Sequence, residues 1–115
     1  MFPGNQIAVG SSAGTGAAIN VSIGFSPRYV KVYNNNDAGA LFSTVEWWEG
    51  MAAASAFKTK SIVDNGATAL KSSEKITAGG ISQYAGSTTA SAGFTIGADA
   101  DINASGETVY YIAVR

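Results

Sequence analysis

Residues 93–115 constrain the fold more than any other part of this 115-residue chain. They open with Phe94 and Ile96 alternating with small or polar residues, which is typical of a strand with one buried face. A polar, glycine-containing stretch over 97–106 supplies turn chemistry, and 109–114 is a second β-branched and aromatic run. We expect the two strands to form a hairpin, with the last strand apolar on both faces and therefore inside a sheet.

The rest of the chain also favours strands. Leucine occurs only twice, whereas isoleucine and valine together occur 17 times, and β-branched residues favour strands over helices. Alternation of apolar and polar residues, separated by turn residues, recurs along the chain; the alanine-rich stretch 51–57 is ambiguous and is taken as a strand. The expected strands are 19–25, 28–33, 41–49, 51–57, 61–64, 68–76 and 81–84, with turns at 34–39, Asn65-Gly66 and Gly79-Gly80. We predict an all-β fold, a single-domain β-sandwich of jelly-roll type.

The first 27 residues contain no charged side chain. Phe2, Ile7 and Val9 are apolar, and residues 10–16 have the glycine-serine composition of a flexible linker. Such a segment has too little apolar area to fold alone, but enough to bind a sheet edge or groove on a neighbour. We predict an extended N-terminal arm, residues 1–16, that is mobile in the free protein, followed by the β-sandwich domain, residues 17–115.

The composition argues against several classes of function. The chain has no cysteine and no histidine, so we expect no enzyme, no catalytic residue, no metal site and no cofactor. Charged residues make up 13% of the chain, the net charge is −1 and the sequence pI is about 5.1, so nucleic-acid binding is not expected. No apolar run is long enough to span a membrane and no signal-peptide pattern is present, so we expect a soluble protein made in the cytoplasm.

Two groups of acidic residues could carry chemistry. Asp99, Asp101 and Asn103 have the spacing of the first ligands in a calcium loop, but the later positions of that motif do not match, so a solvated turn is preferred to a weak cation site. Glu46 and Glu49 flank Trp47-Trp48, as in some carbohydrate sites. Because adjacent strand residues face opposite ways, one indole must lie away from the main core, and we interpret this pair as interface aromatics.

Four lysines, Lys58, Lys60, Lys71 and Lys75, are interpreted as edge-strand charges that discourage open-ended pairing between sheets.

The C-terminal segment GFTIGADADINASGETVYYIAVR resembles small β-rich structural proteins of tailed bacteriophages, including head decoration proteins, and GFSPRYVKVYNN and EWWEGM match more loosely. The resemblance implies a virion protein, a decoration or cement protein on the outer surface of the capsid, made in the host cytoplasm. Its partners would be the major capsid protein and further copies of itself, as a homotrimer or homodimer. The alternative is a lectin-like receptor-binding module of a tail fibre. The expected capsid or subunit interface comprises Phe2, Ile7, Val9, Trp47, Trp48 and Tyr84.

Overall fold

The computed structural model describes residues 6–37, 41–60 and 73–115. Within these ranges every regular element is a strand, which confirms the all-β prediction. The strands are β1 (Ile7–Ala13), β2 (Ile19–Ser22), β3 (Tyr29–Asp37), β4 (Leu41–Trp48), β5 (Ser55–Lys60), β6 (Ser73–Tyr84), β7 (Gly93–Ile96) and β8 (Thr108–Val114). The strand expected at 61–64, the turn at Asn65-Gly66 and the start of the strand at 68–76 lie outside the described residues.

These eight strands form one antiparallel sheet in the order β1-β8-β3-β4-β5-β6-β7-β2. The sheet curls so far that Phe94 of β7 packs against Tyr111 of β8, with the ring centroids 5.3 Å apart in an edge-to-face arrangement. The outcome is a nearly closed, barrel-like sheet whose free edges are β1 and β2. A jelly-roll sandwich is not confirmed, because the described strands belong to a single sheet.

The two C-terminal strands do not pair with each other, so the predicted hairpin is wrong. β7 lies between β6 and β2, whereas β8 lies between β1 and β3. Each therefore contributes to a different half of the sheet, and their side chains meet only across the core. The prediction that the last strand is internal is confirmed, with Val109 and Ala113 fully buried on its inner face.

The predicted turn at Gly79-Gly80 is also wrong, because β6 continues through both glycines. The strand changes partner there: Ile76 lies opposite Ala56 of β5, but Ile81 lies opposite both Ser55 of β5 and Ile96 of β7. Gly79 has a φ of 76°, which favours glycine, so the pair produces an irregularity within a strand rather than a reversal of the chain.

Several predicted boundaries shift. β3 continues to Asp37, through part of the expected turn at 34–39, and β5 begins only at Ser55. Residues 10–13, expected to be a flexible linker, form the second half of β1. β1 pairs with β8 from Ile7 opposite Val114 to Ala13 opposite Thr108, so residues 7–13 of the expected arm form an edge strand of the same sheet.

The core lies between the two halves of the curled sheet. It comprises Val30, Val32, Val45, Trp47, Ala56, Ile81, Phe94, Ile96, Ile102, Val109 and Ala113. Ile102 is the exception in this set because it comes from the segment between β7 and β8, here called the 97–107 loop, and yet it is 1% exposed. Burying Ile102 positions this loop, and the polar side chains beside it, against the inner face of the sheet.

Candidate interaction surface

The side of the sheet that faces away from the core carries a broad apolar surface on β1, β8, β3 and β4, here called the outer face. The strand register sets its side chains in rows. One row runs from Ile7 through Val114 and Tyr29 to Trp48, and the next runs from Val9 through Ile112 to the charged residues Lys31 and Glu46. The outer face comprises Ile7, Val9, Tyr29, Tyr33, Trp48, Tyr110, Ile112 and Val114.

Several of these side chains are well exposed. Val9 is 73% exposed, Ile7 63% and Trp48 48%. Tyr33 and Tyr110 stack on each other with the ring centroids 5.5 Å apart. The outer face is therefore a candidate surface for contact with another macromolecule.

Polar groups on the outer face pair with each other. The Tyr29 hydroxyl donates a hydrogen bond to Glu46 Oε2 at 2.7 Å. Burial and this hydrogen bond to Glu46 raise the pKa of Tyr29 to about 12. Glu49 lies 3.8 Å from Arg28 at a highly exposed position. Glu46 and Glu49 therefore contact different partners rather than converging as a catalytic carboxylate pair.

The structure brings three of the predicted interface residues together. Ile7, Val9 and Trp48 all lie on the outer face. Trp47 does not: it is 4% exposed in the core, and its indole nitrogen donates to the carbonyl oxygen of Ala52 at 3.3 Å. Tyr84 ends β6, opposite Gly93 of β7, in the other half of the sheet. Phe2 lies outside the described residues.

Two of the lysines interpreted as edge-strand charges are placed differently. Lys58 and Lys60 lie on β5, which is paired on both sides by β4 and β6 and is not an edge. Lys58 Nζ lies 3.0 Å from Asp99 Oδ2 and 2.7 Å from Asp101 Oδ2, and Lys60 Nζ lies 3.1 Å from Asp101 Oδ2. We call these four residues the lysine–aspartate cluster; it ties the 97–107 loop to the middle of the sheet. Lys75 is exposed on β6, and Lys71 lies outside the described residues.

Lys58 and Asp101 of the cluster are held in their charged forms. Burial of Lys58 opposes its charge, but hydrogen bonds from its ammonium group to Asp101 and Asp99 outweigh that effect and raise its pKa. The hydrogen bond from Lys58 lowers the pKa of Asp101, and Lys60 adds to the shift against the cost of burial. Both groups are therefore charged at neutral pH.

Asn103 is the second anchor of the 97–107 loop, and it is fully buried. Its amide nitrogen donates to the carbonyl oxygens of Ala17 at 2.6 Å and Gly97 at 3.0 Å. Its amide oxygen accepts from the backbone N–H of Thr15 at 2.8 Å and of Gly16 at 3.4 Å. One side chain thus joins the β1–β2 connection to the end of β7.

The predicted solvated turn at Asp99, Asp101 and Asn103 is correct in its turn chemistry but not in its solvation. Asp99 Oδ1 accepts the backbone N–H of Asp101 at 2.9 Å, as in an Asx turn. The carboxylates also bind lysines, while Asn103 binds backbone groups elsewhere, so the three side chains do not converge on a cation. In the described parts of the chain, no group of three or more acidic residues could hold a metal ion.

Sequence reasoning missed the lysine–aspartate cluster and the burial of Asn103. The spacing of Lys58 and Lys60 is a signal, because two lysines two apart in a strand share one face. The neighbouring residues in the sequence do not identify that face as the inner one, because the inner face is set by the strands that pair with β5.

Comparison with known proteins leaves the chain without an identified relative. No family model matches it, and neither a curated protein nor a solved structure shows significant similarity. Among the residues that the structure describes, none belongs to a helix long and apolar enough to cross a membrane.

Proposed function

We propose that the protein is a bacteriophage capsid decoration protein that binds the outer surface of the head and stabilises contacts between major capsid protein subunits. The observation that carries the proposal is the outer face, on which Ile7, Val9 and Trp48 lie together although they are far apart in sequence. The resemblance of residues 93–115 to tailed-phage virion proteins supports the choice of partner.

The charges of the outer face fit a binding role that does not depend on electrostatic attraction. Lys31 and Glu46 lie directly opposite each other in the register, so their charges offset each other. Burial of the apolar side chains would then supply most of the affinity. Binding of this kind is expected to persist as the salt concentration rises.

The proposal includes self-association on the particle, as a trimer or a dimer, because capsids present local three-fold and two-fold axes. We also propose that the two facing halves of the sheet correspond to the two layers of a jelly-roll-like sandwich.

The test is binding to heads of the phage that encodes the protein, prepared without it. We expect the wild-type protein to co-sediment with the heads. At saturation, the number of bound copies should be a multiple set by the icosahedral symmetry of the head. Trp48→Glu, which places a charge at a 48% exposed position of the outer face, should weaken binding at least about 100-fold, the scale of losing a central apolar anchor.

Thr88→Glu is the matched control, because Thr88 is exposed in the loop between β6 and β7, away from the outer face. It adds the same charge and should bind like wild type. Equal binding by Trp48→Glu and Thr88→Glu would contradict the use of the outer face, and failure of the wild-type protein to bind heads would contradict the proposed function.

A lectin-like receptor-binding module is the second candidate, favoured by the surroundings of Trp48. This exposed indole is followed by Glu49, whose carboxylate lies near the Arg28 guanidinium, and stacking aromatics beside charged groups are common in sugar sites. Glycan-array binding that Trp48→Ala abolishes, combined with no affinity for heads, would favour this candidate over the first.

A further inference from the structure

β1 is an edge strand of the sheet that the described residues form, and the backbone groups of every second residue in it point away from β8. Hydrogen bonds join Arg115 N to Gln6 O at 2.9 Å and Gly14 N to Glu107 O at 2.7 Å, at the two ends of the β1–β8 ladder. In an antiparallel ladder the residues that bond to the partner alternate with residues that point away from it. The even-numbered residues of β1 therefore face β8, and the N–H and C=O groups of Ile7, Val9, Ser11 and Ala13 face away from it.

This edge carries none of the features that usually protect an edge strand. β1 reads IAVGSSA, with no charged residue and no proline, and its pairing with β8 is regular along all seven residues. Natural edge strands are commonly blocked by lysine, proline, a bulge or short length. The other free edge, β2, has only four residues. β1 is thus the edge best suited to pairing with another strand.

The most exposed large apolar side chains lie on the same strand. Ile7 at 63% and Val9 at 73% exceed the exposure of every other large hydrophobic residue among those described. A strand added beside β1 would cover part of both side chains while it satisfied the outward backbone groups. An extended strand bound beside β1 would therefore satisfy both the outward backbone groups and the exposed apolar side chains.

A second copy of β1 fits this edge. If two β1 strands run antiparallel with Gly10 at the two-fold axis, Val9 faces Ser11 of the other copy and Ile7 faces Ala13. All four outward-facing residues then lie in hydrogen-bonded pairs. The two glycines meet at the narrow, non-hydrogen-bonded position, where the absence of side chains allows close approach. Because β1 has no charge, two copies do not repel each other.

We propose that the protein forms a two-fold symmetric homodimer in which β1 pairs antiparallel with β1 of a second copy, joining two curled sheets edge to edge. The proposal specifies the self-association included in the proposed function, and it can be tested in solution without capsids. If the protein proves to be monomeric in solution, the proposal that it binds phage heads still stands. If it does not bind heads, the proposed dimer still stands.

The first experiment is sedimentation equilibrium of the whole chain together with amide hydrogen exchange by NMR. We expect a monomer–dimer equilibrium, with the amides of Val9 and Ser11 becoming protected as the concentration rises. The amides of Ala8 and Ser12, which face β8, should be protected at every concentration. A protein that stays monomeric, or Val9 and Ser11 amides that exchange at the same rate at all concentrations, would overturn the proposal.

Two variants locate the interface. Ser11→Pro removes an outward N–H without removing a bond to β8, and Ser11→Lys places a charge on the edge; each should raise the dimer dissociation constant about 100-fold. Far-ultraviolet circular dichroism of the monomers should match wild type, which separates a lost interface from a lost fold.

Ser22→Lys is the matched control, since Ser22 is exposed on β2, the other free edge. It should leave the dimer unchanged. Loss of association in both Ser11→Lys and Ser22→Lys, or a trimer by sedimentation, would mean that β1 of one copy pairs with β2 of the next and would overturn the two-fold arrangement.

Discussion

The lysine–aspartate cluster and the outer face reverse the usual distribution of side chains in a small domain. The cluster places two of the chain's seven cationic residues against the inner side of the sheet, where Lys58 is 8% exposed. The outer face leaves Ile7, Val9 and Trp48 in contact with solvent. Charge is therefore used inside, where it holds a loop, and apolar area is left outside, where it is available to a partner.

The residues that stabilise this fold and the residues that it exposes therefore belong to different regions of the molecule. Removing a buried charge leaves its partners unpaired in a poorly solvated site, which is costly. Removing an exposed apolar group costs the folded chain little, because that group is nearly as well solvated as in the unfolded chain. Substitutions inside should reduce folding stability, whereas substitutions outside should reduce binding.

The largest effect is expected from Lys58→Met. It leaves Asp99 without its ammonium partner and Asp101 with Lys60 alone, so the free energy of unfolding should fall by about 3 kcal/mol in urea denaturation. Lys60→Met is the control, because the Lys60 side chain is 41% exposed; it should cost about 1 kcal/mol or less. Equal losses in the two variants would remove the distinction between the buried and the exposed member of the cluster.

Asn103→Ala should have the next largest effect. It leaves the Thr15 N–H and the carbonyl groups of Ala17 and Gly97 without their partner, at a cost of about 2 kcal/mol in unfolding free energy. Amide exchange at Thr15 should accelerate through local opening, while Val30 in the core should accelerate only by the factor that corresponds to the loss of global unfolding free energy. A variant as stable as wild type would show that water replaces the Asn103 amide.

The pH dependence of folding stability should also distinguish the lysine–aspartate cluster from the outer face. The pKa of Asp101 is lowered below its ordinary 3.8, so its contribution is present above that pH and is lost as the pH falls through the folded value. Asp101→Asn should flatten this acid limb of the thermal unfolding profile. The contribution of Lys58, whose pKa is raised, is present below 10.5 and is lost as the pH rises through the folded value.

On the outer face, the pKa of Tyr29 rises from 10.0 to about 12. Its contribution is complete below pH 10.0 and is lost between there and about 12. Tyr29→Phe should therefore flatten part of the alkaline limb of the thermal unfolding profile. An alkaline limb that is the same in Tyr29→Phe and wild type would contradict the contribution assigned to Tyr29.

The smallest effect on stability is expected from Val9→Thr. Val9 is 73% exposed, so exchanging a methyl group for a hydroxyl should change the unfolding free energy by less than about 0.5 kcal/mol. The same substitution at Val45, which is 1% exposed, buries a hydroxyl in the core and should cost about 2 kcal/mol. Similar losses at the two positions, measured by urea denaturation, would show that the outer face is covered in the free protein.

Local pattern predicted a good part of this organisation. Alternation with period two sets which residues of a strand share a face, and so it predicted the all-β fold and the opposite placement of Trp47 and Trp48. The apolar residues on both faces of the last strand predicted its internal position. These properties follow from the geometry of a single strand, whatever its neighbours are.

The candidate surface was only partly predictable. Ile7, Val9 and Trp48 were expected at an interface, but their arrangement in rows depends on β8 and β3 lying between β1 and β4. Trp47 has the same residue type as Trp48, and only the direction in which the sheet curls decides which of the two is buried.

Strand content, the faces of individual strands and the absence of histidine and cysteine chemistry follow from the amino-acid sequence alone. The separation of β7 and β8, the passage of β6 through Gly79-Gly80 and the contact of Lys58 with Asp99 depend on the packing of the whole chain. Periodicity is a property of neighbouring residues, whereas strand pairing joins segments far apart in the chain. A lysine in a strand becomes an internal anchor only when a distant loop brings carboxylates to it.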